Sequence, residues 1–283
     1  MDQVQEREKE RNEFLAQVLD SFPPIEAAFA YGSGVFEQPD LYDPAGRNKP
    51  MLDFVFAVDS PRSWHSQLIK YGVVSLRNLN HDLKSWQHLF LSGRLQKPVL
   101  WLRKNASLQE NLGINLNSAL TAALVLLPQK FTENDLLHTI CNLSYSGDIR
   151  MNLAEDKRKV ERIAQGSRSA LINLYDPFLK THFNEQNSLL HENSRFFWSH
   201  EMELSKKMNL IETLPKDVIR DVQLNRSLQE VVESGLYKQN LAAALSCRVS
   251  KASRRQAIAG LFAVGAYKSS RYLFEKIKKV WKS

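Results

Sequence analysis

The fold is decided by the stretch AYGSGVF, residues 30–36, taken together with the stretch MLDFVFAVD, residues 51–59. The first contains a turn of small residues, Gly32-Ser33-Gly34, that follows an apolar run ending at Tyr31. The second is a nearly continuous apolar run that contains a carboxylate. Short apolar runs bounded by turn residues are typical of buried strands, so the two stretches predict neighbouring strands of an α/β domain. Gly32 and Gly34 can take backbone conformations that are closed to other residues. The turn therefore lets backbone amides approach a ligand closely, with the Ser33 hydroxyl between them.

The turn and the strand carboxylate together offer the chemistry of a phosphate site. Backbone amides in such a turn form an anion-binding concavity of the kind that holds phosphate oxygens. Asp53 lies in the following strand, where its carboxylate can hold the Mg²⁺ that accompanies nucleotide phosphates. Two plainer interpretations stay open: Gly-Ser-Gly is common in turns that bind nothing, and a strand-end aspartate can make a local hydrogen bond.

A second carboxylate, Asp59, lies on the same predicted face of the strand as Asp53, because side chains alternate along a strand. Six residues of extended chain correspond to roughly 20 Å at ~3.3 Å per residue. Asp59 can therefore join Asp53 at one metal only if the chain bends, and Ser60-Pro61 makes a bend available. Asp53 and Asp59 are the predicted metal ligands.

The sequence pattern changes along the chain and predicts an α+β protein of three parts. Strand and helix patterns alternate up to about residue 110, including a helix over 79–91, so residues 1–110 are predicted to form an α/β domain. Residues 111–245 are mostly helical. A helix over 116–127 and a second one capped by Thr132 and Asp135 predict a winged-helix-like element there. Within this part, residues 165–210 are expected to form irregular helices and loops.

Basic side chains in the predicted loops are candidates for contacts with phosphate groups. The candidates outside the glycine turn are Lys70, Arg94, Lys97, Arg150, Lys157 and Lys159. Asp148 lies close to the last three of these in the sequence, and its carboxylate can orient their basic groups. The alternative is that these residues form solvated loops and surface salt bridges, each of which contributes little to stability.

The net charge of +7 is concentrated at the C-terminus. Residues 248–282 carry ten lysines or arginines and one acid, Glu275, so the first 247 residues sum to about −2. In residues 256–281, aromatic and aliphatic residues alternate with the basic ones. Residues 246–283 therefore predict a basic amphipathic helix on an anionic membrane surface. The alternative is a helix that packs on the protein and exposes its lysines.

Composition excludes several classes of protein. No apolar run reaches the roughly 20 residues that a membrane-spanning helix requires. The N-terminus lacks the apolar region of a signal peptide and is too acidic for a mitochondrial presequence. Cys141 and Cys247 are too few and too far apart for a disulfide framework or a cysteine-based zinc site. The near-neutral charge outside the tail argues against a nucleic-acid partner.

Two resemblances to known families stand on these motifs. A glycine-serine turn followed by a strand aspartate resembles the nucleotidyltransferase superfamily related to DNA polymerase β. From about residue 28 onward, the chain is similar to the mitochondrial translocator assembly and maintenance family, the CDP-diacylglycerol synthases of the mitochondrial inner membrane. Seven motifs carry this resemblance in the same order: YGSGVF, LDFVFAVD, WHS, KYGV, GRLQKP, SYSGDIRM and EDKRKV. This sequence departs from the family where Gln67 runs directly into Leu68, because members carry a longer segment there, and where Ala154 replaces a frequent glycine.

The resemblance implies a fold, a reaction and roles for particular residues. The fold is a polymerase-β-like nucleotidyltransferase domain, then a winged-helix-like domain and a C-terminal amphipathic helix. The reaction joins CTP and phosphatidic acid to give CDP-diacylglycerol and diphosphate, with Mg²⁺, in mitochondrial phospholipid and cardiolipin synthesis. The location is the matrix side of the inner membrane, as a peripheral protein.

The implied catalytic residues are Asp53 and Ser33. The implied nucleotide- and phosphate-binding residues are Tyr31, Gly32, Ser33, Gly34, Lys70, Arg94, Asp148, Arg150, Lys157 and Lys159. The implied membrane contacts are Arg271, Lys276, Lys278, Lys279 and Trp281. The alternative function is a non-enzymatic assembly factor for translocase subunits of the inner membrane.

Overall fold

The computed structural model describes residues 22–32, 53–61, 73–153, 158–183, 190–192, 195–199 and 203–264, together with residue 35 and single positions between 6 and 19. Over these residues the protein combines a small four-stranded sheet with a larger helical part, so the predicted α+β class is confirmed.

The four-stranded sheet contains both strands that the opening stretches predict. Its strands are β1 (Ala27–Tyr31), β2 (Asp53–Val58), β3 (Val73–Ser75) and β4 (Leu100–Arg103), in the order β3-β2-β1-β4. Strand β1 is antiparallel to β2 and β4, whereas β2 and β3 are parallel. Phe29 packs against helices on one face, and Phe56 packs with Leu19 on the other. Burial on both faces explains why the strand sequences are nearly continuous apolar runs.

Two helices lie between β3 and β4 in the chain, α1 (Leu76–Ser85) and α2 (Leu91–Leu95). The helical part follows β4, and its first helices are α3 (Ala106–Leu126), α4 (Glu133–Asn142), α5 (Ile149–Leu153) and α6 (Lys159–Gly166). The later helices are α7 (Arg168–His182), α8 (Leu204–Glu212), α9 (Lys216–Gln223), α10 (Leu228–Glu233) and α11 (Tyr237–Val264). A second sheet joins β5 (Lys130–Phe131), β6 (Leu190–Glu192) and β7 (Arg195–Ser199) in the order β5-β7-β6, with both pairs antiparallel.

Helix α4 begins where the sequence predicts. The Thr132 hydroxyl accepts a hydrogen bond from the Asp135 amide at 3.1 Å, and the Asp135 carboxylate accepts one from the Thr132 amide at 2.8 Å. This reciprocal capping box satisfies two amides that the first turn of a helix leaves without partners. Leu136 and Ile140 of the predicted core face are buried. The predicted cap and apolar face of this helix are therefore confirmed.

Three other helix predictions need correction. The helix expected over 116–127 begins earlier, at Ala106, where the Asn105 side chain accepts a hydrogen bond from the Ser107 amide. The helix expected over 79–91 ends at Ser85, because Trp86 takes a left-handed conformation with φ of 52°. The expectation of irregular structure over 165–210 is wrong for α7, a regular helix of 15 residues.

Helix α11 crosses the predicted division at residue 245 without interruption and packs against α9, α3 and α5. Val249 and Ala252 on this helix are buried. None of the helices in the described ranges is both long enough and apolar enough to span a membrane.

Candidate active site

The strand register brings Gly32, the first residue of the predicted turn, and Asp53 to one edge of the sheet. Tyr31, the last residue of β1, pairs directly with Asp53, the first residue of β2. Gly32 follows with φ of +92°, a conformation that favours glycine, and the Val35 amide donates to its carbonyl oxygen at 3.0 Å. The chain therefore turns immediately beside the half-buried Asp53 carboxylate.

The structure does not bring Asp59 to this edge. The pairing of β2 with β1 continues from Asp53 to Ala57 without a bulge, so the strand has no bend that could bring its ends together. Asp59 follows the opposite end of β2, roughly 20 Å from Asp53 along an extended strand, and it is exposed. Among the described residues, no group of three or more histidine, cysteine or acidic side chains could hold a metal ion. Asp53 is thus the metal-ligand candidate beside the turn.

Arg94 on α2 faces the same edge. Its guanidinium lies 4.0 Å from the centre of the Tyr31 ring, a cation–π contact. Burial raises the pKa of Tyr31; the positive charge of Arg94 opposes this rise and the carboxylate of Asp53 adds to it, with smaller effects from Tyr145 and Arg150. Residues from the sheet, from α2 and from the segment before and within α5 therefore share one electrostatic environment.

A buried carboxylate holds α2, and with it Arg94, in place. Asp82 is 5% exposed and accepts hydrogen bonds from the backbone amides of His88, Leu91 and Ser92 at 3.0–3.2 Å, and from the Ser92 hydroxyl at 3.0 Å. Hydrogen bonds to an ionised acceptor are stronger than those between neutral groups. Asp82 thus holds the start of this short helix through hydrogen bonds to its first residues.

Asn115 on α3 also holds this helix and the residue that follows α1. Its side-chain oxygen accepts from the Trp86 indole at 2.8 Å, and its amide donates to the Ser92 carbonyl at 3.0 Å. The Tyr175 hydroxyl donates to the Gln96 carbonyl at 2.8 Å just after α2. Sequence reasoning does not identify Asp82 or Asn115, because a polar residue within a helical pattern is predicted to point into solvent.

Lys97 follows α2 and is almost wholly buried, with 5% exposure. Its side-chain nitrogen donates to the Gly93 carbonyl and, at 2.7 Å, to the Ser144 hydroxyl. The same nitrogen lies 5.3 Å from the centre of the Tyr145 ring. Lys97 therefore connects α2 to residues 143–148, the Tyr145 loop.

The Tyr145 loop is clamped between α2 and α11 at two glycines. A Cβ added to Gly93 would lie 2.4 Å from the Ser144 Cβ. Gly147 has φ of +83°, and a Cβ there would lie 2.4 Å from the Ser246 carbonyl oxygen on α11. The loop can approach both helices this closely only because these positions lack side chains.

Asp148 is the last residue of this loop, and Arg150 follows it at the start of α5. Asp148 is 3% exposed, and its carboxylate accepts from the Arg150 guanidinium at 3.0 Å from Nε and 2.6 Å from Nη2. Such a two-point contact fixes the plane of the guanidinium. Asp148 therefore orients Arg150, as the sequence indicates for the acids near the basic residues.

These elements line a small cavity of about 70 Å³ that opens to solvent. Its basic lining comes from Arg94, Lys97, Arg150 and Lys159. Ser144, Tyr145 and Asp148 add polar groups, and the remaining wall is formed by Leu89, Phe90, Val249, Ala252, Ser253 and Gln256. A concave site with four basic side chains and one paired carboxylate favours anions, above all phosphate groups.

The structure brings together most of the predicted site residues that it describes. Those at the shared edge or in the cavity are Tyr31, Gly32, Asp53, Arg94, Asp148, Arg150 and Lys159. Ser33, Gly34, Lys70 and Lys157 lie outside the described residues. The predicted membrane contacts Arg271, Lys276, Lys278, Lys279 and Trp281 also lie outside them.

Comparison with known proteins places the chain in a family. A family model described as mitochondrial phosphatidate cytidylyltransferase matches residues 15–68 and 66–279. The proteins of that name from Mus musculus and Schizosaccharomyces pombe are 32% and 31% identical to this chain. The alignments cover 95% of this chain and 94% of the mouse protein, and 96% of this chain and 84% of the yeast protein. The Xenopus laevis protein of the same name is 33% identical, with 94% of each chain covered. The chain belongs to the mitochondrial phosphatidate cytidylyltransferase family.

The comparisons also locate the departure noted in the sequence. The family match divides into two pieces that meet at residues 66–68, where Gln67 runs into Leu68. The alignments with the yeast and mouse proteins extend over 337 and 320 residues, more than the 283 residues of this chain. These relatives therefore carry internal residues that this sequence lacks.

Proposed function

We propose that this protein is a phosphatidate cytidylyltransferase, which joins CTP and phosphatidic acid to give CDP-diacylglycerol and diphosphate. The names of its relatives across nearly the whole chain support this reaction. The structural observation that carries the proposal is the basic cavity, one of whose lining residues, Arg94, also contacts Tyr31, the strand partner of Asp53.

In this reaction, a phosphate oxygen of phosphatidic acid forms a bond to the α-phosphorus of CTP as the bond to the leaving diphosphate breaks. A phosphate monoester is already anionic near neutral pH, since its second pKa is about 6, so the attacking group needs no strong general base. The protein must instead align two anionic substrates and offset the charge that concentrates around the α-phosphorus. The converging basic groups of the cavity suit this task.

The residues present fit Mg²⁺ as a cofactor. Mg²⁺ is commonly held by one or two carboxylates together with substrate phosphates. Asp53 is a half-buried carboxylate beside the turn, and the groups around it can hold the phosphates. When bound, Mg²⁺ neutralises phosphate charge and stabilises the attacking and leaving oxygens.

The basic residues divide the work of holding phosphate. Arg94 is fixed by α2 and its contact with Tyr31, so it can bind a phosphate next to the turn. Arg150 presents a guanidinium whose plane is set by Asp148. Lys159 lies within 5.6 Å of the centre of the Tyr145 ring and adds a point charge.

The element order supports the finer fold assignment of the resemblance. A strand, a glycine turn and a carboxylate at the start of the paired strand suit a polymerase-β-like nucleotidyltransferase domain over residues 1–110. In the following part, helix α3, strand β5, helices α4 to α7 and hairpin β6–β7 follow one another, and β7 pairs with β5. This order suits a winged-helix-like domain over residues 111–245.

The structure corrects the predicted membrane-binding segment 246–283 at its start, because Val249 and Ala252 are buried against the protein. The rest of that segment completes the proposal as a membrane-binding segment. Nine more basic residues than acidic ones between 248 and 282 attract anionic lipid. Such a segment would hold the protein as a peripheral enzyme on the matrix side of the mitochondrial inner membrane, where its product feeds phospholipid and cardiolipin synthesis.

The experiment that tests the function incubates purified protein with phosphatidic acid in liposomes, Mg²⁺ and each nucleoside triphosphate in turn. Diphosphate release and CDP-diacylglycerol should form with CTP and depend on phosphatidic acid. Liposomes with phosphatidylcholine in place of phosphatidic acid are the control. Lack of product with every triphosphate would refute the enzymatic proposal and leave the assembly-factor alternative.

A further inference from the structure

Lys97 is a buried amine that lies among positive charges. Its side chain belongs to the cavity wall, and its nitrogen bonds to two uncharged oxygens, of Gly93 and Ser144. Among the residues that the structure describes, no carboxylate is a hydrogen-bonding or ionic partner of this nitrogen. A buried ammonium without a carboxylate partner loses much of its hydration free energy, so burial favours the neutral amine.

The surroundings of Lys97 reinforce this preference. Among the residues that the structure describes, the titratable groups nearest to it are Arg94 on α2, Cys141 on α4, Tyr145 in its loop and Lys159 on α6. The ion pair of Asp148 and Arg150 lines the same cavity. The pKa of Lys97 is lowered to about 7, chiefly by burial; the positive charges of Arg94 and Lys159 act in the same direction and Cys141 acts against them. Burial raises the pKa of the Cys141 thiol to about 11, so this group is uncharged near neutral pH.

We propose that Lys97 is a further positioning residue of the site, neutral in the empty cavity and protonated when a phosphate group enters it, so that phosphate binding takes up one proton. The proposal rests on the proposed function only for the identity of the phosphate ligand, which is either the CTP phosphate chain or the phosphatidic acid headgroup. The geometry that carries it is a buried amine at the wall of a cavity with three other basic side chains.

The physical reason is the change in charge when the cavity fills. In the empty site, a fourth positive charge beside Arg94 and Lys159 is repelled and is poorly solvated. A bound phosphate brings about two negative charges near neutral pH, and opposite charge nearby favours the protonated amine. The neutral amine therefore limits repulsion before binding, and the ammonium adds attraction after it.

Calorimetry in buffers of different ionisation enthalpy measures this proton directly. At pH 8, a group with a pKa of about 7 is roughly nine-tenths neutral, whereas a terminal phosphate with a pKa of about 6 has almost no proton to release. Binding of CTP with Mg²⁺, of inorganic diphosphate, or of phosphatidic acid in phosphatidylcholine vesicles should then show uptake of about one proton. The ligands that show uptake identify which phosphate enters the cavity.

Three variants separate this role from a structural one. Lys97→Met should lose the uptake of one proton, and its affinity should fall less steeply with pH between 7 and 9 than that of the wild type. Lys97→Arg carries a permanent charge, so it should restore phosphate affinity without proton uptake. Lys159→Met, which removes a neighbouring cation, should bind more weakly and still take up a proton.

The wild-type measurement decides the proposal even if Lys97→Met does not fold. Absence of proton uptake at pH 8 with every ligand, or equal uptake by the wild type and Lys97→Arg, overturns it. Failure of the proposed function is a separate result: the protein would take up a proton on binding phosphate and yet form no CDP-diacylglycerol. Product formation without proton uptake would conversely refute the role of Lys97 alone.

Discussion

Replacement of Lys97 by methionine should change how the stability of the ligand-free protein depends on pH. The pKa of Lys97 is about 7 in the folded protein and 10.5 in its ordinary state. Between these values the unfolded chain binds more protons than the folded one, so the free energy of unfolding rises with pH. The slope for one proton is about 1.4 kcal/mol per pH unit, and the gain between pH 7 and 9 is about 2 kcal/mol. Methionine has a similar length and no charge, so Lys97→Met should lack this gain.

Urea denaturation at pH 7, 8 and 9, followed by circular dichroism without ligand, measures the difference. The wild type should gain about 2 kcal/mol relative to Lys97→Met across this range, and the variant should be the more stable protein at pH 7. Lys84→Met, at an exposed position of α1, is the matched control and should follow the wild type. Parallel pH dependences for wild type and Lys97→Met would show that Lys97 is charged in the folded protein, and the reasoning from its burial would fail.

Four further predictions concern the site and its supports. Asp53→Asn should lower turnover by roughly 100- to 1,000-fold with an unchanged circular dichroism spectrum, as expected when a group that offsets developing charge is lost; near-normal turnover with Mg²⁺ would remove the metal assignment. Asp82→Ala should lower the free energy of unfolding by roughly 3 kcal/mol, because buried amides lose their acceptor, and an unchanged urea midpoint would contradict this support. Gly147→Ala should be about 1–3 kcal/mol more destabilising than Gly235→Ala, since both have positive φ but only the first meets backbone; equal losses would exclude the contact with α11. Deletion of residues 267–283 should weaken sedimentation with anionic liposomes while CTP binding persists, and unchanged sedimentation would exclude the membrane-binding segment.

The features of the site that the sequence predicts are those formed by residues close together in the chain. The turn after β1 and the carboxylate of β2 are each predictable from a local motif, whereas the antiparallel pairing that places them side by side is found only in the structure. Tyr31 and Asp53 are indeed paired in register. The cap of α4 was predictable for the same reason, since Thr132 and Asp135 are three residues apart.

The part that could not be predicted depends on contacts between distant segments. Asp82 and Asn115 lie in helices whose sequences give no sign that these polar side chains point into the protein. Lys97 was identified as a basic residue in a loop, where solvation is the usual state. Lys97 is buried because the segment around Ser144, 47 residues further along the chain, packs over it. Gly93 allows this segment to approach α2 closely. No local pattern contains that information.

These contacts also explain why the cavity forms where the sheet-bearing part meets the helical part. Arg94 and Lys97 come from the segment before β4, whereas Arg150 and Lys159 come from the helical part. The Tyr145 loop joins them because Gly93 admits it to α2 and Gly147 admits it to α11. A side chain at either glycine would separate the basic groups and weaken their combined attraction, which falls with distance. If the proposed site binds phosphate, we therefore expect substitutions at these two glycines to weaken binding, although neither has a side chain that could contact a ligand.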